Sequence, residues 1–434
     1  MLGYEGCARR ARLVLRHSKS AVSRRRTSNA TRRRLNAQSP PPSIFSTPAA
    51  RVTMVMSALF GTTGVILVFL PRWLELERHL SGTEIGIIIS LAQFARLITG
   101  PLIAYRADRA SDRATPLKII ALAAVFAYAA FFFVAQGFWQ LLIFGFVALT
   151  LTQSMTPLIE AATLRASAQG KISYGFARGI GSIAFIAANV LGGIVIARFG
   201  IIAVVIWVLC GLSLTTATSW LGLHRDPPPP RTTTSRSGGA SALLRNRSFL
   251  ILIVACGLIQ AAHGFYYSFS TIVWRGQGIS NEMIGFLWAF GVAVEVAFLW
   301  SLPFIERRST PEGLILIGAG AAVARWFAMG FAPLGWVLWP LQAMHALSFA
   351  AAHVGAMRLL HRDAPEQSAA MAQTLYAVMS GGLLMGASTL MSGRLYDVGG
   401  AIGYWAMAAM AGAGGLIALF LIPPKSRVST ATPQ

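Results

Sequence analysis

The chain has 434 residues, of which 55% are hydrophobic and only 12% charged, and its mean hydropathy is +0.60. Soluble domains carry about a quarter charged residues, so this composition excludes an ordinary water-soluble protein and makes the lipid bilayer the expected partner of its surface. The formal net charge of +22 is concentrated in one tail and in short segments between apolar runs.

The first 51 residues form a basic tail. They hold 12 of the 37 Lys and Arg residues, and Glu5 is their only acid. Three interpretations stay open: an organelle transit peptide, which is Arg-rich, Ser-rich and poor in acids; a disordered tail held near anionic lipid; or an over-extended gene start, because Met54 and Met56 stand where the first apolar run begins. The charges are not interleaved with aromatic residues, so we expect no nucleic-acid partner.

Twelve apolar segments follow that are long enough to cross a bilayer as helices, since a crossing needs about 20 mainly apolar residues. Numbered in chain order as spans 1 to 12, they begin near residues 52, 83, 115, 139, 175, 200, 248, 281, 312, 335, 367 and 400. The segment 223–247, LHRDPPPPRTTTSRSGGASALLRNR, is typical of a solvated linker. The sequence therefore predicts an all-α membrane protein with six-helix halves at 52–222 and 248–424 and a short tail at 425–434.

The distribution of Lys and Arg predicts the orientation of the chain in the membrane. In the loops and at the span ends, without counting the tail, 17 Lys and Arg residues lie on the side of the tail and 5 lie on the other side. Because loops rich in Lys and Arg stay in the cytoplasm, we expect both termini and the linker to be cytoplasmic, in the cell inner membrane.

The two halves resemble each other at the starts of spans 2 and 8. A shift of 199 residues places Ser81, Ile85 and Gly86 on Ser280, Ile284 and Gly285, and it places Arg96 on Glu295. Ser81 and Glu84 also have capping-box spacing. The pattern favours parallel repeats related by an axis along the membrane normal.

Few ionisable residues lie within the spans, and each is a candidate functional residue because a charge at bilayer depth costs about 2.5–3.5 kcal/mol on insertion scales. They are Arg96, Glu160, Arg178, His263, Glu295, Arg325, His345 and His353. Five of them, Arg96, His263, Glu295, Arg325 and His345, fall near mid-depth, where two-halved transporters bind their substrates.

Glu295 in span 8 is the best proton-carrier candidate. Desolvation favours the neutral carboxyl and a nearby cation favours the charged one, and Arg325 in span 9 cannot realistically deprotonate. Movement of Arg325 would then switch Glu295 between holding and releasing a proton; the alternative is a static ion pair that joins the two helices. His345 and His353, about 80° apart around span 10, are candidates for a proton relay or for solute contact, or are ordinary core histidines.

The remaining polar candidates are expected to contact a solute. Span 7 carries a stripe at spacings of 3 and 4, made of Gln260, His263, Tyr267, Ser270 and Trp274. Such a stripe faces protein or a watery cavity, because lipid does not satisfy its donors; simple helix packing, with Trp274 as an interfacial anchor, is the alternative. Glu160 and Arg178 are expected to pair as an inner gate or to contact the solute, and Gln373 and Tyr376 in span 11 are weaker candidates.

Other kinds of site are not indicated. The sequence contains no P-loop, no Gly-x-Ser-x-Gly elbow and no HExxH motif, and Cys7, Cys210 and Cys256 are scattered. We therefore expect no enzyme activity, no cofactor, no metal and no disulfide framework.

These segments resemble the major facilitator superfamily over residues 52–424, and within it the branch of phenylpropionate permease-like proteins, which is related more distantly to lactose permease and the nucleoside:proton symporters. The resemblance is carried by IGIIISLAQFARLITGPLIA in span 2, SYGFARGIGSIAF in span 5, HGFYYSFSTIVW in span 7, IGFLWAFGVAVEVAFL in span 8, ARWFAMG in span 9 and HALSFAAAHVGAMR in span 10. It implies a twelve-helix fold of two pseudo-symmetric halves that rock about a central cavity.

The resemblance also implies roles for individual residues. Glu295, Arg325 and His345 resemble the proton-coupling residues of the lactose permease group, and Glu160 and Arg178 its substrate-binding pair. Two departures are visible. The loop after span 2, GPLIAYRADRASDR, places the signature residues Asp108 and Arg109 late, and span 10 has no second acid beside His345, for which His353 is a candidate substitute.

The sequence therefore predicts a transporter, most simply a monomer, that imports a small organic solute with a proton. The resemblance favours an aromatic carboxylate such as phenylpropionate, and Arg96 and Arg325 with the aromatic residues of span 7 suit an anionic ring compound. Nucleosides or sugars are the next candidates, and export of a drug-like compound follows. A membrane sensor that kept the fold and lost transport is the alternative from another class.

Overall fold

The computed structural model describes residues 47–109, 112, 114–223, 239–364 and 368–422, and every element within these ranges is helical. Spans 1 to 6 are single helices at Pro48–Arg78, Gly82–Arg109, Ala114–Phe133, Gly137–Ala168, Tyr174–Phe199 and Ala203–Gly222. The described residues from Arg51 onward form one compact unit. Most of the predicted tail and the central part of the linker lie outside the described residues.

The second set of spans is less regular. The short helix Gly239–Arg245 leads to span 7, which has two parts, Arg247–Ala261 and Gly264–Gly276, and spans 8 and 9 are Asn281–Glu306 and Pro311–Met329. Span 10 runs through Gly335–Val337, Leu338–Ala343, the π-helix Ala346–Ala351 and Ala352–Asp363. Span 11 consists of Ala369–Ala377, the π-helix Val378–Leu384 and Met385–Gly399, and span 12 of Gly400–Ile402, Gly403–Ala418 and Leu419–Leu421.

All twelve helical segments begin within four residues of the predicted starts. By length and composition, 10 described helices suffice to cross a membrane, and the last of these, Met371–Leu421, covers both span 11 and span 12. The chain turns between those two spans at Gly400, whose φ of 56° is a conformation that favours glycine. Span 10 is not among the ten; it is divided near Met344, and its second half carries Arg358 and Arg362.

The starts of spans 2 and 8 carry side-chain caps. Glu84 accepts the backbone N–H of Ser81 at 2.9 Å, and the Ser81 hydroxyl accepts the N–H of Glu84 at 3.3 Å, which confirms the predicted capping box. The equivalent residue of span 8, Ser280, accepts the N–H of Met283 at 3.3 Å. Such caps satisfy the free donors at a helix start.

Two close helix crossings explain the repeated glycines. Span 2 packs on span 11 and span 5 packs on span 8. A Cβ atom on Gly86 would lie 3.0 Å from the Cα of Gly393, and one on Gly285 would collide with the carbonyl oxygen of Asn189. Small residues permit this approach of helix backbones. The glycines related by the shift of 199 residues thus serve the same purpose in two different crossings.

A carboxylate joins spans 2 and 11 beside the first crossing. Asp397, near the end of span 11, accepts the backbone N–H of Gly82 at 2.7 Å and that of Thr83 at 2.8 Å. A carboxylate at a helix N-terminus is favoured by the helix dipole as well as by these hydrogen bonds. The end of the bundle that we predict to face outward is therefore held closed between these two spans.

Candidate functional site

The helices are irregular where the polar side chains lie. Span 7 is interrupted between Ala261 and Gly264, and His263 stands at the break. Span 10 becomes a π-helix from Ala346 to Ala351, directly after His345. Gln260 of span 7 donates to the carbonyl oxygen of Phe349 at 3.0 Å, so the altered backbone of span 10 is tied to span 7. Such π-bulges are frequent at functional sites.

Arg325 is the centre of this cluster and is completely buried. Its Nη1 lies 3.0 Å from Nδ1 of His345 and donates to the Ser348 hydroxyl at 3.3 Å, while its Nη2 donates to Oε1 of Gln342 at 3.0 Å. The guanidinium carbon lies 4.7 Å from the ring centre of Tyr266 and 4.4 Å from that of Trp326. Neutral polar atoms and two aromatic faces therefore surround a buried cation.

His345 connects this cation to Glu295. Its Nε2 lies 3.4 Å from Oε2 of Glu295. A guanidinium only donates hydrogen bonds, so Nδ1 of His345 accepts from Arg325 and Nε2 carries the proton that points at the carboxylate. The direct Glu295–Arg325 pair that the sequence suggested is replaced by a chain of three residues with the imidazole in the middle.

A second chain of hydrogen bonds leads from Arg325 to His263. The Nδ1 of His263 lies 3.1 Å from the carbonyl oxygen of Gln260, which fixes Nδ1 as the donor, and Nε2 lies 3.3 Å from the Ser348 hydroxyl. Ser348 therefore donates to His263 while it accepts from Arg325. This ordering requires a neutral His263, in agreement with its complete burial.

Aromatic rings form a continuous layer beside these chains. Tyr266 stacks on Trp288 with ring centres 4.4 Å apart. The ring of Phe349 lies parallel to those of His345 and His353, at 5.2 Å and 6.3 Å. His353 and Glu295 are the exposed ends of the cluster: His353 is exposed, and the Glu295 side chain retains 22% of its accessible surface.

The predicted residues of the other half form a second charged group. Nε of Arg178 lies 3.6 Å from Oε1 of Glu160, and its guanidinium lies 4.5 Å from the ring centre of Phe60. Arg96 is exposed and makes one long hydrogen bond, 3.5 Å, to the carbonyl oxygen of Gly381 in the π-helix of span 11. Two cations and one carboxylate are thus at least partly exposed here.

Most of the remaining predicted residues are buried, and one lies away from the cluster. Gln260, His263, Ser270, Trp274 and Tyr376 are buried among protein side chains, and Tyr267 is half-buried. Gln373 faces His361 at 3.4 Å, away from Arg325. The side chains of Asp108 and Arg109 lie outside the described part of the structure. Solute contact by these residues remains a prediction.

Five residues of the cluster were not among the candidates from the sequence: Tyr266, Trp326, Gln342, Ser348 and Phe349. Gln342, His345 and Ser348 recur at spacings of three in span 10, and this repetition was the available signal. Ser348 lies beside His345, where span 10 has no second acid. Neutral polar residues in a long apolar run attract less notice than charges, although a buried cation needs them equally.

The structure also holds a cavity of about 550 Å³ between spans 1, 5 and 6. Its lining is apolar except for a few small polar groups and includes Ser57, Thr62, Val195, Phe199, Ile206 and Trp207. It contacts none of the charged side chains described above, so it does not belong to the site. No group of three or more His, Cys, Asp or Glu side chains suited to a metal occurs among the described residues.

The chain is similar to known membrane transporters. The model of the MFS_1 like family matches residues 51–407. The chain is 30% identical over 371 residues to the probable 3-phenylpropionic acid transporter of Escherichia coli (strain K12), an alignment that covers 84% of this chain and 94% of that protein. It is 26% identical over 341 residues to the maltose permease of Geobacillus stearothermophilus, covering 78% and 85%.

Solved structures agree on the fold. The crystal structure of the nucleoside transporter NupG superposes with a TM-score of 0.71 at 16% identity and covers 86% of this chain and 97% of that one. A bacterial homologue of the human lysosomal transporter Spinster, in an inward-facing and unoccupied conformation, superposes with a TM-score of 0.63 at 14% identity, covering 86% and 95%. The predicted all-α membrane fold of the major facilitator type is confirmed.

Proposed function

The chain belongs to the MFS_1 like family, and from this premise we propose that it imports a small aromatic carboxylate, such as 3-phenylpropionate, together with a proton. The proposal places a monomer in the inner membrane with both termini in the cytoplasm. The observation that carries it is the chain from Arg325 through His345 to the partly exposed Glu295, because a membrane protein has little reason to keep such a costly arrangement unless its charges move.

Proton coupling follows from the order of the three residues. A proton that binds Glu295 replaces a charged acceptor of the His345 N–H by a weaker, neutral one, and of these three residues only Arg325 is then charged. The His345 ring is then held less firmly between the other two. When Arg325 comes nearer, its positive charge favours the carboxylate and expels the proton. Glu295 is therefore the proton site, His345 the connecting group and Arg325 the group that enforces release.

The solute is proposed from the groups that remain open. Arg96 is exposed and weakly held, so its guanidinium is available for a carboxylate, which it binds with two parallel hydrogen bonds. The partly exposed rings of Tyr267 and Phe349 offer faces for a flat ring. The relative with 30% identity is named as a probable 3-phenylpropionic acid transporter, and this agrees with an anionic ring compound.

A nucleoside or a sugar is the second candidate, and the Glu160–Arg178 pair favours it. Paired charges present donors and acceptors without a net charge, which suits hydroxyl groups. The maltose permease and the nucleoside transporter among the similar proteins belong to these solute classes. In this case Arg96 would serve packing with span 11 and not solute binding.

Uptake into proteoliposomes decides between the candidates. Purified protein is reconstituted, an inward proton gradient is imposed, and entry of radiolabelled 3-phenylpropionate, uridine and maltose is measured against protein-free vesicles. We expect the gradient to drive accumulation of 3-phenylpropionate alone. Accumulation of uridine or maltose alone supports the second candidate, and entry that ignores the gradient contradicts proton coupling. A folded protein that moves none of the three favours a sensor or an exporter.

A further inference from the structure

Gln342 has an unusual place in the polar cluster. Its side chain is completely buried, and its single amide oxygen accepts two hydrogen bonds, from Nη2 of Arg325 at 3.0 Å and from the Tyr266 hydroxyl at 2.8 Å. Both lone pairs of that oxygen are then in use. Gln342 thereby joins span 10 to span 7 and span 9 at one atom.

Span 10 holds the guanidinium with three neutral side chains. Gln342 takes Nη2, and His345 and Ser348 take Nη1. These residues are spaced by three, so they follow one edge of the helix, and each contributes one acceptor. A buried arginine is ordinarily matched by a carboxylate in direct contact. Here the described residues provide no carboxylate in contact with Arg325, and Glu295 is reached only through His345.

Span 8 comes close to the same turn of span 10. A Cβ atom on Gly291 would lie 3.4 Å from the carbonyl oxygen of Gln342 and 3.8 Å from Cβ of His345. Glu295 follows Gly291 by one turn, so it lies on the same side of span 8. The position of Arg325 relative to span 10 therefore determines its distance from Glu295.

We infer that Gln342 is a positioning residue that keeps the Arg325 side chain separated from Glu295 by the His345 ring. It thereby sets the pH at which Glu295 exchanges its proton. The inference rests on the proposed coupling role of Glu295. An amide suits this purpose because it binds the guanidinium without neutralising it. The positive charge stays available to expel the proton, yet it does not reach the carboxylate until span 10 or span 9 moves.

Two substitutions of Gln342 are expected to act in opposite directions. Gln342→Glu supplies a carboxylate that pairs with Arg325, so the guanidinium no longer favours the charged form of Glu295, and Glu295 keeps its proton to higher pH. Gln342→Leu removes the anchor, so Arg325 moves towards Glu295, and Glu295 loses its proton at lower pH. A loss of packing alone would not shift the titration of Glu295 in opposite directions in the two variants.

Other ionisable groups near Glu295 are the same in all variants. His345 and His353 face it from span 10, Tyr267 from span 7, and Arg325 from span 9 beyond His345. Span 5, which packs along span 8, contributes Tyr174 and Arg178, and both interact with Glu160 instead. Gln342→Leu changes none of these groups, so its shift of the Glu295 titration reports the position of Arg325, whereas Gln342→Glu adds a carboxylate whose own charge also raises the midpoint.

The test is an infrared titration of Glu295 in the purified, reconstituted full chain without solute. The carbonyl band of protonated Glu295 is identified as the band that disappears in Glu295→Gln. Gln342→Glu adds a second carboxyl, so the spectrum of the double variant Gln342→Glu and Glu295→Gln is subtracted from that of Gln342→Glu. Gln140→Glu, the same change at an exposed glutamine outside the cluster, serves as the matched control. We expect the midpoint to rise by about one pH unit or more in Gln342→Glu and to fall by a similar amount in Gln342→Leu.

Unchanged midpoints, or shifts of the same sign in both variants, overturn the inference. Gln342→Asn, which keeps the amide on a shorter side chain, decides the case if Gln342→Leu does not fold: its midpoint should fall below that of the wild type. Uptake of 3-phenylpropionate is measured on the same samples. If the wild type fails to transport it while the two midpoints move apart, the proposed solute is wrong and the role of Gln342 stands.

Discussion

Nε2 of His345 lies 3.4 Å from Oε2 of Glu295, and the opposite nitrogen of the same ring accepts from Arg325. The histidine therefore lies between the carboxylate of span 8 and the guanidinium of span 9. An imidazole in this place has a fixed tautomer, because one neighbour only donates and the other, when ionised, only accepts. Addition of one proton to Glu295 weakens its contact with His345, the ring that also binds Arg325, and so links a local event to the packing of spans 8, 9 and 10.

The helix crossings give a prediction that needs no solute. Gly285→Ala places a methyl group against the Asn189 carbonyl and forces spans 5 and 8 apart, so we expect thermal unfolding of the detergent-purified protein to begin about 2–4 °C lower or more. Gly320→Ala is the matched control, because nothing lies within 4 Å of a Cβ there. Equal midpoints for both variants would show that the crossing is not tight.

Asp397 gives a prediction about the end of the bundle that we predict to face outward. Asp397→Asn loses one acceptor for the N–H groups of Gly82 and Thr83 and the favourable charge at the start of span 2. We therefore expect spans 2 and 11 to separate more often, and spans 1 and 7 to separate with them. Spans 1 and 7 are joined where the Thr271 hydroxyl of span 7 donates to the carbonyl oxygen of Val68 in span 1 at 2.5 Å.

Thiol labelling measures this opening. Thr271→Cys is introduced into a chain whose native cysteines have been replaced, and an impermeant maleimide is added outside intact cells. Asp397→Asn should raise the labelling rate about tenfold, as expected for the loss of charge-assisted hydrogen bonds. Arg394→Gln, on the same helix and exposed, should leave it near the starting value. Equal rates in Asp397→Asn and the parent would show that this carboxylate does not hold spans 2 and 11 together.

Arg96 gives a prediction about the solute. If its guanidinium binds the carboxylate, Arg96→Gln should raise the KM for 3-phenylpropionate by about tenfold or more, since a hydrogen bond to a charged group contributes about 1.5–3 kcal/mol. Competition by the neutral amide of the same acid should not change. Arg106→Gln, an exposed arginine on the same helix, provides the comparison, and equal KM values in the two variants would remove Arg96 from the solute site.

The sequence was sufficient for the helices, and it singled out Glu295, Arg325 and His345 as candidates, but it did not predict the contacts among them. Span starts follow from the length of apolar runs, which the bilayer imposes. Glu295, Arg325 and His345 were candidates because an ionisable side chain within a membrane span is costly. Their order in space depends on the π-helix after His345 and on the break at His263, and neither irregularity has a local sequence signal comparable to hydropathy.

The sequence also did not predict which polar side chains are buried. Helical spacing placed Gln260, His263, Ser270 and Trp274 on one stripe, but spacing does not distinguish a stripe that faces a cavity from one that faces other helices. In the structure these four side chains are buried. The neutral acceptors Gln342 and Ser348 were missed for a related reason: the need for them arises only once Arg325 is known to lie without a carboxylate in contact.

Proton movement in proteoliposomes, with the wild type and Glu295→Gln side by side, tests the central claim most directly. Glu295→Gln keeps the size and one oxygen acceptor but cannot carry a proton, and Glu306→Gln, at the end of the same helix and exposed, controls for the chemical change. Addition of 3-phenylpropionate should make the medium outside wild-type and Glu306→Gln vesicles more alkaline. Glu295→Gln should give no pH change and yet exchange labelled for unlabelled solute. Wild-type proton movement that persists in Glu295→Gln would contradict the assignment of Glu295 as the proton site.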